Sequence, residues 1–229
     1  MVKVMKGSLF GVGVGPGDPS LLTLKAVDII KSADVIAVPD TGGEKTALNV
    51  VAAYLGSKEI MPCPMPMTKD REFLRRSHEN VAEMICERLD GGQNVAFITL
   101  GDPSIYSTYM YIHKLVEQKG YSAQMIPGVP SFCAAACALG IPLCEGGEVL
   151  HIFPASYGGL EENLALKGGK VLMKSGSKTA DVLKTLKNLG LRAQMVECCG
   201  MENERIYRNI DEAAVSSNYF SIIVVKEQI

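Results

Sequence analysis

Short apolar runs alternate along this chain with longer stretches whose apolar positions recur at helical spacing. Ser8 to Val14 reads as a buried strand, and Leu21 to Ser32 as a helix. Val35 to Val38 reads as a strand closed by Pro39, and Thr46 to Leu55 as a helix. Glu59 to Met61 reads as a short strand stopped by Pro62, Pro64 and Pro66. Proline cannot donate in a central ladder, so that run belongs to a loop or a sheet edge. Asp70 to Leu89 is polar on one face and ends at Gly91-Gly92, a helix with a C-terminal stop. Val95 to Leu100 predicts a strand, Ser104 to Lys119 a helix closed by Gly120, and Ala123 to Ile126 a fifth strand.

Pro127-Gly128-Val129-Pro130 then breaks the pattern, which places a domain boundary between residues 126 and 127. Beyond it, a small-residue helix (Ser131 to Leu139) precedes strands near Val149–Phe153, Val171–Met173, Gln194–Glu197, Arg205–Tyr207 and Phe220–Val225. Helices near Leu160–Leu166 and Thr179–Leu189 separate the earlier of these, and the last strands follow with little helix between. The expected fold is α/β in two domains, 1–126 and 127–229. The first has a mostly parallel sheet, the second a mixed one. No sequence repeat or low-complexity segment interrupts the pattern.

Composition narrows the class. A chain of 229 residues, 47% apolar and 21% charged, is ordinary for a soluble globular protein and long enough for two cores. A formal net charge of -2 argues against a nucleic-acid or anionic-membrane partner. No run approaches the ~18–20 apolar residues of a membrane span. The lysine-bearing start runs into Gly and Pro without a signal-peptide pattern, so a cytoplasmic location is expected. Seven cysteines (Cys63, Cys86, Cys133, Cys137, Cys144, Cys198, Cys199) form an odd set without paired zinc spacing, and they read as small buried hydrophobes. His78, His113 and His151 are scattered, and no protein-bound metal is expected.

Chemistry concentrates in loops. Gly11-Val12-Gly13-Val14-Gly15-Pro16-Gly17-Asp18-Pro19 follows a strand and precedes a helix. A dinucleotide-binding GxGxxG turn fails in both registers, because Pro16 or Asp18 stands where the last glycine is required. No GxxxxGK[ST] is present, which excludes a phosphate-cradling P-loop. The plain reading is a tight strand-to-helix turn with Asp18 or Ser20 as N-cap. The same order of strand, Gly-Asp-Pro and helix returns at Thr99 to Tyr106, and a third Gly/Pro loop runs from Ile126 to Phe132. In an open parallel sheet, ligands bind outside the carboxyl ends of strands, where all three loops should lie. A nucleotide-binding oxidoreductase is the competing class, disfavoured by the failed GxGxxG.

These motifs together resemble the tetrapyrrole methylase family, S-adenosylmethionine-dependent enzymes that modify uroporphyrinogen and precorrins. The resemblance rests on Gly13-Val14-Gly15-Pro16-Gly17-Asp18-Pro19-Ser20-Leu21-Leu22-Thr23-Leu24-Lys25-Ala26, on Gly101 to Tyr106, on Pro127 onward, and on Gly140-Ile141-Pro142-Leu143. Lys6 to Gly13, Pro66-Met67-Thr68, Tyr106 to Tyr111 and Pro130 to Ala134 resemble the branch that methylates C-20 of the macrocycle. Tyr106-Ser107 stands where sister branches carry Tyr-Gly. The C-11, C-17 and uroporphyrinogen methylases remain the alternatives.

The resemblance implies two αβα domains with the active site in the cleft between them. It implies S-adenosyl-L-methionine as cofactor and S-adenosyl-L-homocysteine as product. It further implies precorrin-2 or cobalt-factor II as substrate in cobalamin biosynthesis, with any cobalt inside the substrate, and a homodimer. The carried-over cofactor residues are Pro16, Leu100, Gly101, Asp102, Ile105, Pro130, Ser131, Phe132, Met173 and Cys199. Met173 could equally be core, and Cys198-Cys199-Gly200 replaces the Glu-Asn-Gly of relatives. Asp18 and Tyr106 are the candidates at the reacting macrocycle, Asp18 as general base, as hydrogen-bond partner to pyrrole nitrogens, or simply as N-cap. Tyr106, Tyr109 and His113 share one face of the expected helix, as pocket lining or as core. Arg71 and Arg75, four apart beside Lys69 and Arg76, suit substrate carboxylates or a solvated surface.

Overall fold

The computed structural model describes residues 5–42, 45–213 and 220–226. It divides into two compact units, the first ending at Pro130 and the second beginning at Ser131. In the first unit, β1 (Ser8–Gly13), β2 (Val35–Asp40), β3 (Glu59–Pro64), β4 (Val95–Thr99) and β5 (Ser122–Ile126) form one sheet in the order β3-β2-β4-β1-β5. Every pairing in it is parallel. The crossover helices are α1 (Leu24–Ser32), α2 (Thr46–Val51), α3 (Arg71–Asp90) and α4 (Tyr109–Gln118).

Side-chain caps fix where several of these begin. Thr23 Oγ1 accepts from Ala26 N–H at 3.1 Å to start α1. Asp70 Oδ1 accepts from the N–H groups of Glu72 and Phe73, both at 3.0 Å, to start α3. Two cores flank the sheet. Leu9, Val35, Phe97, Ile85, Leu89, Tyr109 and Ile112 pack on the face covered by α3 and α4. Val12, Ile36, Ile98, Ile30 and Val50 pack on the opposite face, under α1 and α2.

Sequence and structure differ at three points. Pro39 lies inside β2, and β3 continues through Pro62 and Pro64. An edge strand offers only alternate N–H groups to its neighbour, and both prolines fall on the solvent-facing parity while Met61 and Cys63 point inward. The helix expected from Ser104 starts only at Tyr109, so Tyr106 lies outside it. Tyr106 adopts φ +49°, a left-handed backbone that a continuing helix cannot contain.

In the second unit, β6 (Leu150–Pro154), β7 (Gly169–Met173), β8 (Ala193–Glu197), β9 (Arg205–Tyr207) and β10 (Ser221–Val225) are ordered β6-β7-β10-β8-β9. The β6–β7 pairing is parallel and the other three are antiparallel, so the sheet is mixed. α5 (Ser131–Leu139) packs against β8 and β10. α6 (Leu160–Leu164) and α7 (Thr179–Asn188) contribute Leu164, Val182, Leu183 and Leu186 to a core with Leu172, Met195 and Ile223. No helix among the described residues is long and apolar enough to cross a membrane.

Candidate active site

Because β1 lies between β4 and β5 in a parallel sheet, the three Gly/Pro loops leave one edge side by side. They are fastened to one another. Gly15 and Gly101 exchange backbone hydrogen bonds at 3.2 and 2.7 Å, each at positive φ (+75° and +69°). Gly128 N–H donates to Asp102 Oδ2 at 3.0 Å, while Asp102 Oδ1 accepts from Ser104 N–H at 2.8 Å and from its hydroxyl at 2.5 Å. Thr23 Oγ1 donates to Pro127 O at 3.3 Å. The result is a wall built from loops with little freedom to move singly.

The glycines serve this assembly in different ways. A Cβ on Gly13 would meet Gly128 N at 2.6 Å and Gly101 O at 2.7 Å. One on Gly128 would meet Gly101 O at 2.2 Å and Gly13 C at 2.6 Å. Backbone, not open space, fills these positions, so Gly13 and Gly128 are there to let loops touch. Gly11 leaves room for a side chain instead, since its Cβ would lie 2.0 Å from the Tyr109 ring.

The wall carries Pro16, which is buried, with Leu100, Gly101, Asp102, Ile105 and Pro130, all partly buried. Its mainly apolar side chains and glycine-rich backbone suit a ligand with an adenosine face and a short aliphatic arm. Asp102 adds one carboxylate that would favour a nearby cation. That donor set fits S-adenosylmethionine, whose sulfonium is positive. Tyr106 follows on the same loop and is 42% exposed.

Asp18 is an N-cap, accepting from Ser20 N–H at 2.8 Å at the head of a short 3-10 turn (Pro19–Leu21). That N–H, and then the Ser20 hydroxyl, hold its carboxyl below the usual aspartate range. A carboxylate so stabilised is a weak base and a sound hydrogen-bond acceptor.

Three of the four substrate candidates, Tyr109, His113 and Arg75, have other partners in the structure. Tyr109 is fully buried. Its hydroxyl lies 2.9 Å from His113 Nδ1, and burial pushes its phenol pKa up. His113 is itself 7% exposed and reaches Glu117 Oε2 with Nε2 at 3.3 Å. Both belong to the core between the sheet and α4, and the ring space left by Gly11 is the reason. Arg75 is bonded to Glu72 at 2.7 Å and to Glu79 on its own helix, and Arg76 shares Glu72. Its charge is therefore already matched. Arg71, exposed at the first position of α3, has no such partner given to it by the helix spacing.

In the second unit, Ser131 and Phe132 open α5, with Phe132 buried. Met173 and Cys199 lie at or just beyond the ends of β7 and β8, both buried. These two strands run parallel to each other on either side of β10, so their ends share an edge. Burial, with Glu204 next, pushes the Cys199 thiol up to about 12, which makes it inert. The sequence offered no sign of Lys174. It follows Met173 at φ +53°, and burial holds its ammonium below the usual lysine range. Cys198 occupies the matching position after β8 at φ +49°. Among the described residues, no group of three or more His, Cys, Asp or Glu is placed to hold a metal ion.

Residues 8–214 match the family model for Tetrapyrrole (Corrin/Porphyrin) Methylases. The chain is 42% identical over 156 residues to a probable cobalt-precorrin-2 C(20)-methyltransferase of Methanocaldococcus jannaschii, covering 67% of this chain and 66% of that protein's length. It is 30% identical to the cobalt-precorrin-2 C(20)-methyltransferase of Salmonella typhimurium, covering 98% of each. Among solved structures, a cobalt-precorrin-4 methyltransferase shares the fold with a TM-score of 0.78 at 23% identity, over 96% of this chain and 94% of that one. A Thermus thermophilus uroporphyrin-III C-methyltransferase, solved with S-adenosylhomocysteine, does so with a TM-score of 0.73 at 22% identity, over 96% and 92%.

Proposed function

The chain belongs to the tetrapyrrole methylase family, and from that premise we propose that it methylates C-20 of precorrin-2 or cobalt-factor II in cobalamin biosynthesis. The observation that carries the reading is the interlocked wall at the ends of β1, β4 and β5, in a chain that the Salmonella typhimurium C(20)-methyltransferase matches over 98% of each. S-adenosylmethionine supplies an electrophilic methyl group on a sulfonium. Pro16, Leu100, Gly101, Asp102, Ile105 and Pro130 are the first-unit residues that would hold it. A fixed wall contributes by orientation, which can supply about 7–11 kcal/mol of a barrier when the reacting atoms are held in line.

The acceptor carbon is already electron-rich and needs no base before the methyl arrives. Afterwards C-20 carries both the methyl and a proton, and the proton must leave. Asp18, held acidic by Ser20, serves as acceptor for pyrrole N–H groups rather than as the base. A base removes that proton after the methyl has arrived. Arg71 and Tyr106 meet the substrate's periphery. The protein works in the cytoplasm as a homodimer, with no resident metal and no nucleic-acid or membrane partner.

Thermal shift supports the reading if S-adenosylhomocysteine raises Tm and NAD does not. Incubation with metal-free and cobalt-loaded substrate, with the methylated carbon located by NMR, then decides position and metal state. A methyl at C-11 or C-17 assigns the chain to a sister activity.

A further inference from the structure

We propose that the hydroxyls of Thr99 and Ser107 form a clasp that holds Tyr106 as a specificity-determining contact for the tetrapyrrole. The proposal rests on the methyl-transfer reading above and deepens it. Thr99 ends β4, and Ser107 lies just before α4, so the pair spans the whole Gly-Asp-Pro loop. Their oxygens are 2.9 Å apart in a partly buried position. Ser107 Oγ also accepts from Tyr109 N–H at 3.3 Å, which leaves its own proton available to Thr99.

Within the clasped loop, Gly101 is bridged to Gly15, and Asp102 is tied to Gly128 and Ser104. Those residues belong to the cofactor wall. Tyr106 is different: it takes a left-handed backbone at φ +49°, where glycine would be unstrained, yet its ring is 42% exposed. Left-handed backbone at a residue with a side chain stores strain, and such strain concentrates at ligand-binding positions. The exposed ring offers a flat face and a hydroxyl. A tetrapyrrole offers a flat conjugated face, pyrrole N–H donors and peripheral carboxylates. The clasp acts at a distance from that contact by fixing both ends of the loop, so Thr99 and Ser107 are positioning residues.

The test measures KM for the tetrapyrrole, kcat, and the Kd for S-adenosylhomocysteine in Ser107→Ala, Thr99→Val and the double variant. The expected result is a KM raised about tenfold, with the S-adenosylhomocysteine Kd within twofold of wild type. The double variant should be no worse than either single one, because the two hydroxyls act as a unit. Ser107→Thr and Thr99→Ser keep the hydroxyls and should keep the KM. Tyr106→Leu should raise KM by itself and absorb the effect of Ser107→Ala. Unchanged KM in the alanine and valine variants, while wild type turns over, overturns the clasp alone. So does an S-adenosylhomocysteine affinity that falls in step with KM, since the pair would then merely hold the cofactor wall. If those variants fail to fold, Tyr106→Leu decides: a wild-type KM overturns the proposal. No turnover of any tetrapyrrole by wild type overturns the methyl-transfer reading and this proposal together.

Discussion

Replacing Gly128 by alanine should disable the cofactor wall without touching any side chain that faces it. The new Cβ would lie 2.2 Å from Gly101 O and 2.6 Å from Gly13 C, well inside any tolerable contact. Both obstacles are backbone, held by the Gly15–Gly101 bridge, so neither can swing aside as a side chain would. Overpacking of this kind costs about 1–3 kcal/mol. Moving the third loop away also breaks the Gly128 N–H bond to Asp102, and a hydrogen bond to a charged group contributes about 1.5–3 kcal/mol. The expected loss is therefore about 2.5–6 kcal/mol, a large share of the ~5–15 kcal/mol typical of a domain. Urea unfolding measures it, and calorimetric titration with S-adenosylhomocysteine should show affinity at least about tenfold weaker, the factor that only ~1.4 kcal/mol produces. Gly120→Ala is the control. Gly120 has φ +82° and nothing within 4 Å of the added Cβ, so its cost is confined to the left-handed backbone, about 1–2 kcal/mol, with cofactor affinity unchanged. The reasoning fails if Gly128→Ala costs no more than Gly120→Ala and binds S-adenosylhomocysteine as well as wild type.

Lys174→Met should remove the cost of burying that ammonium, which the wild type carries. The wild type should also gain stability relative to this variant as pH rises from the depressed lysine pKa toward the ordinary value of 10.5, because folding penalises the protonated amine below that window; a pH-independent difference in urea midpoints would refute the burial argument. Arg75→Ala, at an exposed side chain already paired with Glu72 and Glu79, should cost under about 1 kcal/mol and leave tetrapyrrole KM within about twofold. Arg71→Ala should raise that KM more than Arg75→Ala does, and the reverse order in steady-state kinetics would move the carboxylate contact to Arg75.

The alternation of buried runs and amphipathic stretches carried most of the fold. It placed every strand within a residue or two, except where proline seemed to end one. Pro62 and Pro64 were misleading because proline forbids only one hydrogen-bonding parity, and an edge strand can spare it. The start of α4 was hidden for a different reason. The residues from Ser104 to Thr108 have helical spacing, but Asp102 captures Ser104 and the left-handed Tyr106 breaks the helix without a glycine to announce it. The three loops were legible as a group because Gly, Asp and Pro follow each strand. Their mutual fastening was not, since Asp102 and Gly128 are remote in sequence. Tyr109 read as pocket lining or core alike because Gly11, whose missing side chain makes room for its ring, lies far off in sequence on β1. The ion pairs of Arg75 stood in plain view at helical spacing from Glu72 and Glu79. Lys174 gave no signal, because nothing local in a buried strand forecasts a left-handed exit.

The position of β1 in its sheet has a consequence for biosynthesis. Of the first unit's strands it leaves the ribosome earliest, yet its two neighbours are β4 and β5, the last strands of that unit to be made. One of its edges must wait for β4 and the other until Ile126 has emerged, and non-local parallel pairing of this kind is slow and prone to aggregation. The glycine contacts between loops can form only after that pairing, so capacity to take up cofactor is the last property the nascent unit acquires. Translation speed near residues 95–126 should therefore govern the yield of active protein more than speed anywhere upstream.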